Sequence, residues 1–213
     1  VSVFRSDKVK GPYEPFQNNP VMTHRNMGYK AFIHTTGHAD LIETQNGEWW
    51  SVMLAKRNFG GKTMLARESF LTKVEWHNGW PIFNGPVNRV LEVDKRPNLP
   101  WSPFPAKPTR YHFDDKNLDL EFNFLRNPAS KWHVLTKGKL AIDVRPETGD
   151  MNRVNPSMVL HRTRDLQYVA STQVSLKNRK DNEAAGLVVY RNKDNWYQFV
   201  LKGDKVELSY YRK

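Results

Sequence analysis

The stretch that decides the fold runs from Thr35 to Trp80 and reads TTGHADLIETQNGEWWSVMLAKRNFGGKTMLARESFLTKVEWHNGW. Its short runs of aromatic and β-branched residues favour strands. Between these runs stand residues that tolerate the positive φ of tight reversals, at Asn46-Gly47, Phe59–Lys62 and His77–Gly79. The predicted strands are Asp40–Thr44, Glu48–Leu54, Thr63–Phe70 and Lys73–Trp76. We expect them to form an antiparallel meander, such as one blade of a β-propeller.

The composition is that of a folded chain. Hydrophobic residues make up 38% of the 213 residues and aromatic residues 12%, which is enough for a packed core. There are no cysteines, so disulfides and thiolate metal sites are excluded. The net charge of +11 is compatible with a nucleic-acid partner. The basic residues, however, are interspersed with acidic ones and form no continuous block. We therefore expect neither a nucleic-acid nor a membrane partner.

A proline-rich run, Arg96–Pro105, divides the chain, because closely spaced prolines cannot sustain a helix or a central strand. We predict domains at residues 1–96 and 97–213, with this run as the linker. Trp101 and Phe104 are expected to pack on a surface, and the alternative is a platform for stacking sugars. Beyond the linker, β patterns recur at Leu118–Phe124, His133–Leu135, Lys139–Val144, Tyr168–Leu176, Gly186–Tyr190, Trp196–Leu201 and Val206–Tyr211. Many short strands without long helices predict a β-sandwich.

Two residues of the central stretch are candidates for binding chemistry. Arg67 follows Met64-Leu65-Ala66, and an arginine inside an apolar strand is costly to bury unless it is paired. Its planar fork of donors suits carboxylates and sugar hydroxyls, and the alternative is a structural salt bridge to Glu68 or Glu75. His38 lies between Gly37 and Ala39, which allow other groups to approach closely. The alternative for His38 is a buried imidazole that satisfies backbone groups.

Other residues of this stretch are less suited to chemistry. Asp40 and Glu43 are three apart, so on a strand their side chains point to opposite faces and do not form an acid–base pair. The four tryptophans could stack on sugars, but packing within and between blades is the interpretation we favour. They are Trp49, Trp50, Trp76 and Trp80.

Several ordered motifs resemble the last blades of family 43 glycoside hydrolases, of the β-xylosidase and α-arabinofuranosidase type. They are GHADLIE, NGEWW, LARESFL and VEWHNGWPIFN, with weaker similarity at Arg5–Glu14, Asn19–Val21, Phe124–Pro128 and Glu183–Tyr190. The resemblance implies an all-β chain. It would form the last part of a five-bladed β-propeller, followed by a lectin-like (concanavalin A-like) β-sandwich that stops about halfway.

The resemblance also implies a function. The parent enzyme would hydrolyse xylosidic or arabinofuranosidic bonds of hemicellulose with inversion, and its catalytic carboxylates would lie upstream of this chain. Arg67 matches an arginine that reaches the bound sugar, although this chain has LARES where many relatives have LGRET. His38 matches a histidine beneath the sugar site that often belongs to a calcium-linked network. His38 is therefore a candidate for both substrate binding and metal binding, with calcium the one cofactor expected. Calcium prefers oxygen ligands, so an imidazole contact would be unusual or mediated by water.

Two readings of the chain compete. In the first, the chain is part of a glycosidase that acts on xylo- or arabino-oligosaccharides. Its protein partner would then be the remainder of the same enzyme or a second copy of the chain. In the second, the chain is a non-catalytic carbohydrate-binding or structural fragment. The resemblance implies a secreted parent whose signal would stand upstream, and a cytoplasmic location is the alternative.

Overall fold

The computed structural model describes residues 1–177 and 180–213, and in these ranges the chain forms thirteen β-strands and two short 3-10 turns. It divides into two compact units, Val1–Pro105 and Ala106–Lys213. No helix in the described ranges is long and apolar enough to cross a membrane. The predicted all-β class is confirmed.

The first unit is built on one four-stranded antiparallel sheet. A small hairpin of β1 (Phe4–Arg5) and β2 (Glu14–Pro15) and a 3-10 turn at Arg25–Met27 precede the sheet. The sheet itself consists of β3 (Ile33–Glu43), β4 (Trp49–Arg57), β5 (Glu68–His77) and β6 (Trp80–Phe83), paired in chain order. A second 3-10 turn, Gly85–Val87, follows it. The predicted meander is therefore confirmed.

The predicted reversals are confirmed by their backbone angles. Gly47 has φ 80°, Gly60 and Gly61 have φ 60° and 83°, and Asn78 and Gly79 have φ 52° and 74°. At Gly60-Gly61 and Asn78-Gly79 two consecutive residues have positive φ, which is the backbone of the tight turn whose twist matches that of flanking strands. The hydrogen bond and pairing between Phe59 and Lys62 close the second turn.

The predicted boundary between the third and fourth strands was wrong. Thr63–Arg67 is a turn, in which Ala66 adopts φ 59°, and β5 begins only at Glu68. From there it pairs without interruption with β4, from Glu68 opposite Ala55 to Val74 opposite Trp49. One strand thus replaces the two predicted ones, because pairing with the long neighbour β4 outweighs the local pattern.

One face of this sheet carries the core of the unit. Met53, Ala55, Val74 and Phe83 are all at most 3% exposed. They pack in one cluster with Ile33 of β3 and with apolar residues from the segments before and after the sheet, namely Val21, Met22 and Val90. The sheet and its flanking segments therefore share one core.

A buried histidine joins the two flanking segments. His24 is 4% exposed, and its Nε2 accepts a hydrogen bond from the backbone N–H of Val90 at 2.9 Å. Its Nδ1 lies 2.7 Å from the carbonyl oxygen of Ile33, so Nδ1 carries the proton and donates it there. The ring thus satisfies two buried backbone groups at once.

In its described residues, 106–177 and 180–213, the second unit contains three antiparallel sheets. β7 (Phe122–Phe124) pairs with β10 (Val159–His161), and β8 (His133–Thr136) forms a hairpin with β9 (Lys139–Ile142). The third sheet is a meander of β11 (Ala184–Asn192), β12 (Asn195–Lys202) and β13 (Lys205–Arg212). Trp132 is 1% exposed, and its indole N–H donates to Asn155 Oδ1 at 2.6 Å.

Several predictions for the second half were wrong. Only Phe122–Phe124 of the alternating run Leu118–Phe124 is a strand, and Leu120 is 99% exposed. Tyr168–Leu176 forms no strand in the described part of the chain. Alternation predicts a strand only where a partner strand exists, and neither run finds one along its full length. Gly186–Tyr190, in contrast, does lie in a strand, namely β11.

The linker prediction also needs correction in one respect. Trp101 and Phe104 are 72% and 95% exposed, so they do not pin the proline-rich run to a surface. Trp101 instead lies beneath the guanidinium of Arg96, 5.0 Å from the ring centroid. Such an exposed cation–π contact is a weak local restraint.

We expect His24→Leu to destabilise the first unit by roughly 3 kcal/mol, because the N–H of Val90 and the carbonyl of Ile33 would be buried without partners. Thermal and urea unfolding measure the loss. His77→Leu is the matched control, since the His77 side chain is 65% exposed. His24→Gln should recover part of the loss, because an amide can donate and accept. Equal effects of the two leucine variants would show that the buried ring does not hold the unit together.

Candidate functional site

Arg67 lies outside the strand in which the sequence placed it. It follows the left-handed Ala66 and immediately precedes β5, and its side chain is exposed. The expectation of an arginine inside an apolar strand was therefore wrong. The turn at Thr63–Arg67 lifts the residue off the sheet before pairing begins, so its charge is not buried.

The alternative of a salt bridge from Arg67 to Glu68 or Glu75 is also wrong. Glu68 is held by Arg57, whose Nε lies 3.1 Å from both carboxylate oxygens and whose NH2 lies 2.7 Å from Oε1. Glu75 lies 3.6 Å from Lys73 and 3.8 Å from His77. Among the described residues Arg67 has no ion-pair partner, and its guanidinium is open to a ligand.

His38 lies in the irregular part of β3. The pairing of β3 with β4 shifts register between His34 and Gly37 and again between Gly37 and Asp40, and His38 has φ 52°. Such a bulge re-aims a side chain relative to the regular ladder. The imidazole is exposed, so the alternative of a buried histidine that satisfies backbone groups does not hold at this position. His24, which the sequence reasoning missed, has that role instead.

The sheet brings His38 and Arg67 to the same end of the first unit. Gly37 of β3 pairs with Leu54 of β4, which pairs on its other side with Ser69 of β5. His38 is the next residue after Gly37, and Arg67 stands two residues before Ser69. Two strand spacings, about 10 Å, separate the backbones of β3 and β5. The two candidates therefore lie at the same end of the sheet, with β4 between the strands from which they come.

The carboxylates near this site do not form an acid–base pair. Asp40 lies opposite Val52 and Glu43 opposite Trp49, and neighbouring residues of β4 alternate between the faces of the sheet. Asp40 and Glu43 therefore lie on opposite faces, as predicted. Neither has the paired arrangement that general acid and base catalysis of glycoside hydrolysis requires.

The four tryptophans of the central stretch mostly pack against other side chains of the first unit. Trp50 is 2% exposed and Trp80 is 7% exposed. Trp80 stacks on Phe16, with ring centroids 4.9 Å apart, and Arg5 covers its ring. Trp49 and Trp76 meet edge to face at 5.2 Å, although Trp76 remains 43% exposed. Packing is therefore their main role in this chain.

The residues around His38 do not fit a metal site by themselves. Within the described ranges no three His, Asp or Glu side chains converge to hold a metal ion. Calcium takes six to eight oxygen ligands, and one exposed imidazole provides none of them. The calcium-linked role of His38 stays a prediction.

A second polar cluster lies in the second unit, and the sequence reasoning missed it. The Glu121 carboxylate, 13% exposed, forms an ion pair with Lys107 and accepts a hydrogen bond from the Tyr111 hydroxyl at 2.7 Å. Arg164 NH1 lies 3.1 Å from Oε1, and His161 Nε2 lies 3.5 Å from Oε2. These partners, above all the hydrogen bond from Lys107, lower the pKa of Glu121 to about 2. The side chain therefore remains a carboxylate at neutral pH and is unsuited to donate a proton.

Comparison with known proteins places both units in one enzyme family. Residues 1–81 match the family described as Glycosyl hydrolases family 43, and residues 110–213 match the Beta xylosidase C-terminal Concanavalin A-like domain. Both matched models describe domains of family 43 glycoside hydrolases, and the all-β structure with its blade-like meander agrees with them. The chain belongs to glycoside hydrolase family 43.

Particular relatives share this assignment. The chain is 34% identical to a xylosidase/arabinosidase of Butyrivibrio fibrisolvens, in an alignment that covers 99% of this chain and 41% of the relative. It is 36% identical to a non-reducing end alpha-L-arabinofuranosidase of Bacteroides ovatus, over 92% of this chain and 37% of that protein. The crystal structure of a xylan beta-1,4-xylosidase from Bacillus halodurans covers all of this chain with a TM-score of 0.82 and 26% identity, and 44% of that structure is matched. The chain thus spans about two fifths of the length of these relatives.

We expect Glu121→Gln to lower the melting temperature of the second unit at neutral pH. The folded pKa of about 2 lies below the ordinary 4.5, so the ionised carboxylate stabilises the fold above pH 4.5. That contribution is lost as the pH falls from 4.5 towards 2, and the difference between wild type and variant should shrink in this window. Melting curves across the pH range measure it, with the exposed strand residue Glu207 changed to Gln as the control. A difference that does not change with pH would refute the ionic explanation.

Proposed function

We propose that this chain is part of a glycosidase that cleaves xylosidic or arabinofuranosidic bonds of hemicellulose, and that it contributes sugar-binding groups to the active site. The observation that carries the proposal is the match of both units to family 43 domains. Relatives named xylosidase and arabinofuranosidase support the class of substrate. The reaction would invert the anomeric centre, with one carboxylic acid protonating the leaving oxygen while a carboxylate activates water.

Arg67 is the residue to which we assign the main binding role. Its guanidinium is exposed and without an ion-pair partner in the described ranges, so its donors can reach sugar hydroxyls without first breaking a salt bridge. The Arg57–Glu68 ion pair spans the base of the turn that carries Arg67, which limits the freedom of that turn. His38 would contact the same sugar from the neighbouring part of the sheet.

We propose further that the second face of the first sheet packs against the remainder of the same enzyme. Ile42, Val52 and Leu71 lie on this face and are 54%, 44% and 42% exposed. Val52 pairs directly with Leu71, so their side chains form one apolar surface. Contiguous apolar surface of this kind marks an interface. A secreted location is also part of the proposal, because polymeric hemicellulose is found outside the cell.

A non-catalytic, carbohydrate-binding role for this piece is the second candidate. It is favoured by Asp40 and Glu43 of β3, whose carboxylates do not form an acid–base pair. Turnover of an aryl xyloside or aryl arabinofuranoside by the purified chain would exclude it. Oligosaccharide binding without turnover would support it.

We expect Arg67→Ala to weaken the binding of xylotriose or arabinotriose to this chain roughly tenfold or more, because charge-assisted hydrogen bonds to the sugar are lost. Isothermal titration calorimetry measures the affinity, and circular dichroism confirms the fold of the variant. Arg89→Ala is the matched control, since Arg89 is exposed in the same unit and lies outside the site. An unchanged affinity for both sugars would remove Arg67 from the binding site.

A further inference from the structure

An open groove of about 470 Å³ lies beside the Glu121 cluster of the second unit. Its wall includes Arg162 and Arg164, which follow His161 at the end of β10. Leu120, 99% exposed, and Asn123 complete one flank with an apolar surface and an amide. Six of its eight lining residues are ionisable and only Leu120 is apolar, so the groove suits a polar or charged ligand of small size.

The charges of the groove leave one cation uncompensated. Lys107 and Arg164 face the carboxylate of Glu121, and Asp119 adds a second negative charge. The two positive and two negative charges of these groups cancel at neutral pH. Arg162 is exposed and has no ion-pair partner in the described part of the chain, so it supplies the surplus positive charge.

The geometry selects the class of ligand. A guanidinium fork matches a carboxylate in a bidentate pair, and such charge-assisted bonds are stronger than neutral ones. Because the other charges of the groove cancel, Arg162 offers one positive charge, and a dianion or a polyanion such as phosphate or nucleic acid would leave surplus negative charge beside Asp119 and Glu121. A ligand with a single carboxylate and neutral hydroxyls fits this balance better.

We propose that the groove binds an acidic sugar substituent, a hexuronosyl group on a hemicellulose chain, through its carboxylate to Arg162. The choice of a sugar acid rather than another monoanion rests on the proposed function, because the ligand must belong to the glycan on which the enzyme acts. Asn123 and the Glu121 network would receive the hydroxyls of the ring. The second unit would thereby favour substrate regions that carry acidic side groups.

The test compares two oligosaccharides that differ only in the acidic group. Xylotriose and xylotriose bearing one 4-O-methylglucuronosyl group are titrated into the 213-residue chain at pH 7 by calorimetry. We expect the acidic oligosaccharide to bind roughly tenfold more tightly or better. Arg162→Gln should abolish this preference, and Arg162→Lys should restore only part of it because the fork is lost. Arg191→Gln, at an exposed position of the same unit outside the groove, should leave it unchanged.

The outcomes separate this inference from the proposed function. Equal affinity for the two oligosaccharides, or a preference that survives in Arg162→Gln, overturns the acidic-sugar site even if xylotriose binds through Arg67. Loss of the preference in Arg191→Gln as well would show a general charge effect and also overturn the site. Binding of the acidic oligosaccharide that depends on Arg162 but not on Arg67 would support the site while contradicting the role assigned to Arg67.

Discussion

The imidazole of His24 holds the first unit together, because it pairs two backbone groups that would otherwise be buried without partners. The Val90 N–H belongs to the segment after the sheet, and the Ile33 carbonyl stands at the start of β3. Neighbouring Val21 and Met22 bury their side chains in the same core. The position of β3 therefore depends on this ring. His38, and with it half of the candidate site, depends on the position of β3.

Local chemistry explains what could be predicted from the sequence. The turns at Asn46-Gly47 and Asn78-Gly79 were found because few residues tolerate their positive φ values. The hairpins of β8–β9 and β11–β13 followed from apolar runs separated by such turns. The limits of β5 and the absence of a strand at Tyr168–Leu176 could not be found in this way. Strand length is set by a partner that is distant in the chain, and no local pattern reports that partner.

In the candidate site, too, local sequence patterns predicted some features, and contacts between distant residues decided the others. Arg67 and His38 were proposed from a family resemblance, and their roles remain predictions, whereas the residue-level argument for a buried Arg67 failed at a left-handed Ala66. The Glu121 cluster was missed because its partners lie 14 residues away at Lys107 and 43 residues away at Arg164. Only the folded chain brings them together. Histidines were similarly ambiguous, since nothing in the sequence separates the buried His24 from the exposed His38.

The third sheet of the second unit has a consequence for how the isolated chain behaves in solution. One of its faces exposes a cluster of apolar side chains, including Val206, Leu208 and Tyr210 at 63%, 73% and 70%. At neutral pH the net charge of +11 keeps separate molecules apart. Added salt shortens the reach of that repulsion to about 8 Å at physiological ionic strength, while the attraction between apolar faces persists. Solubility should therefore decline as ionic strength rises, and low-salt buffers suit this chain best.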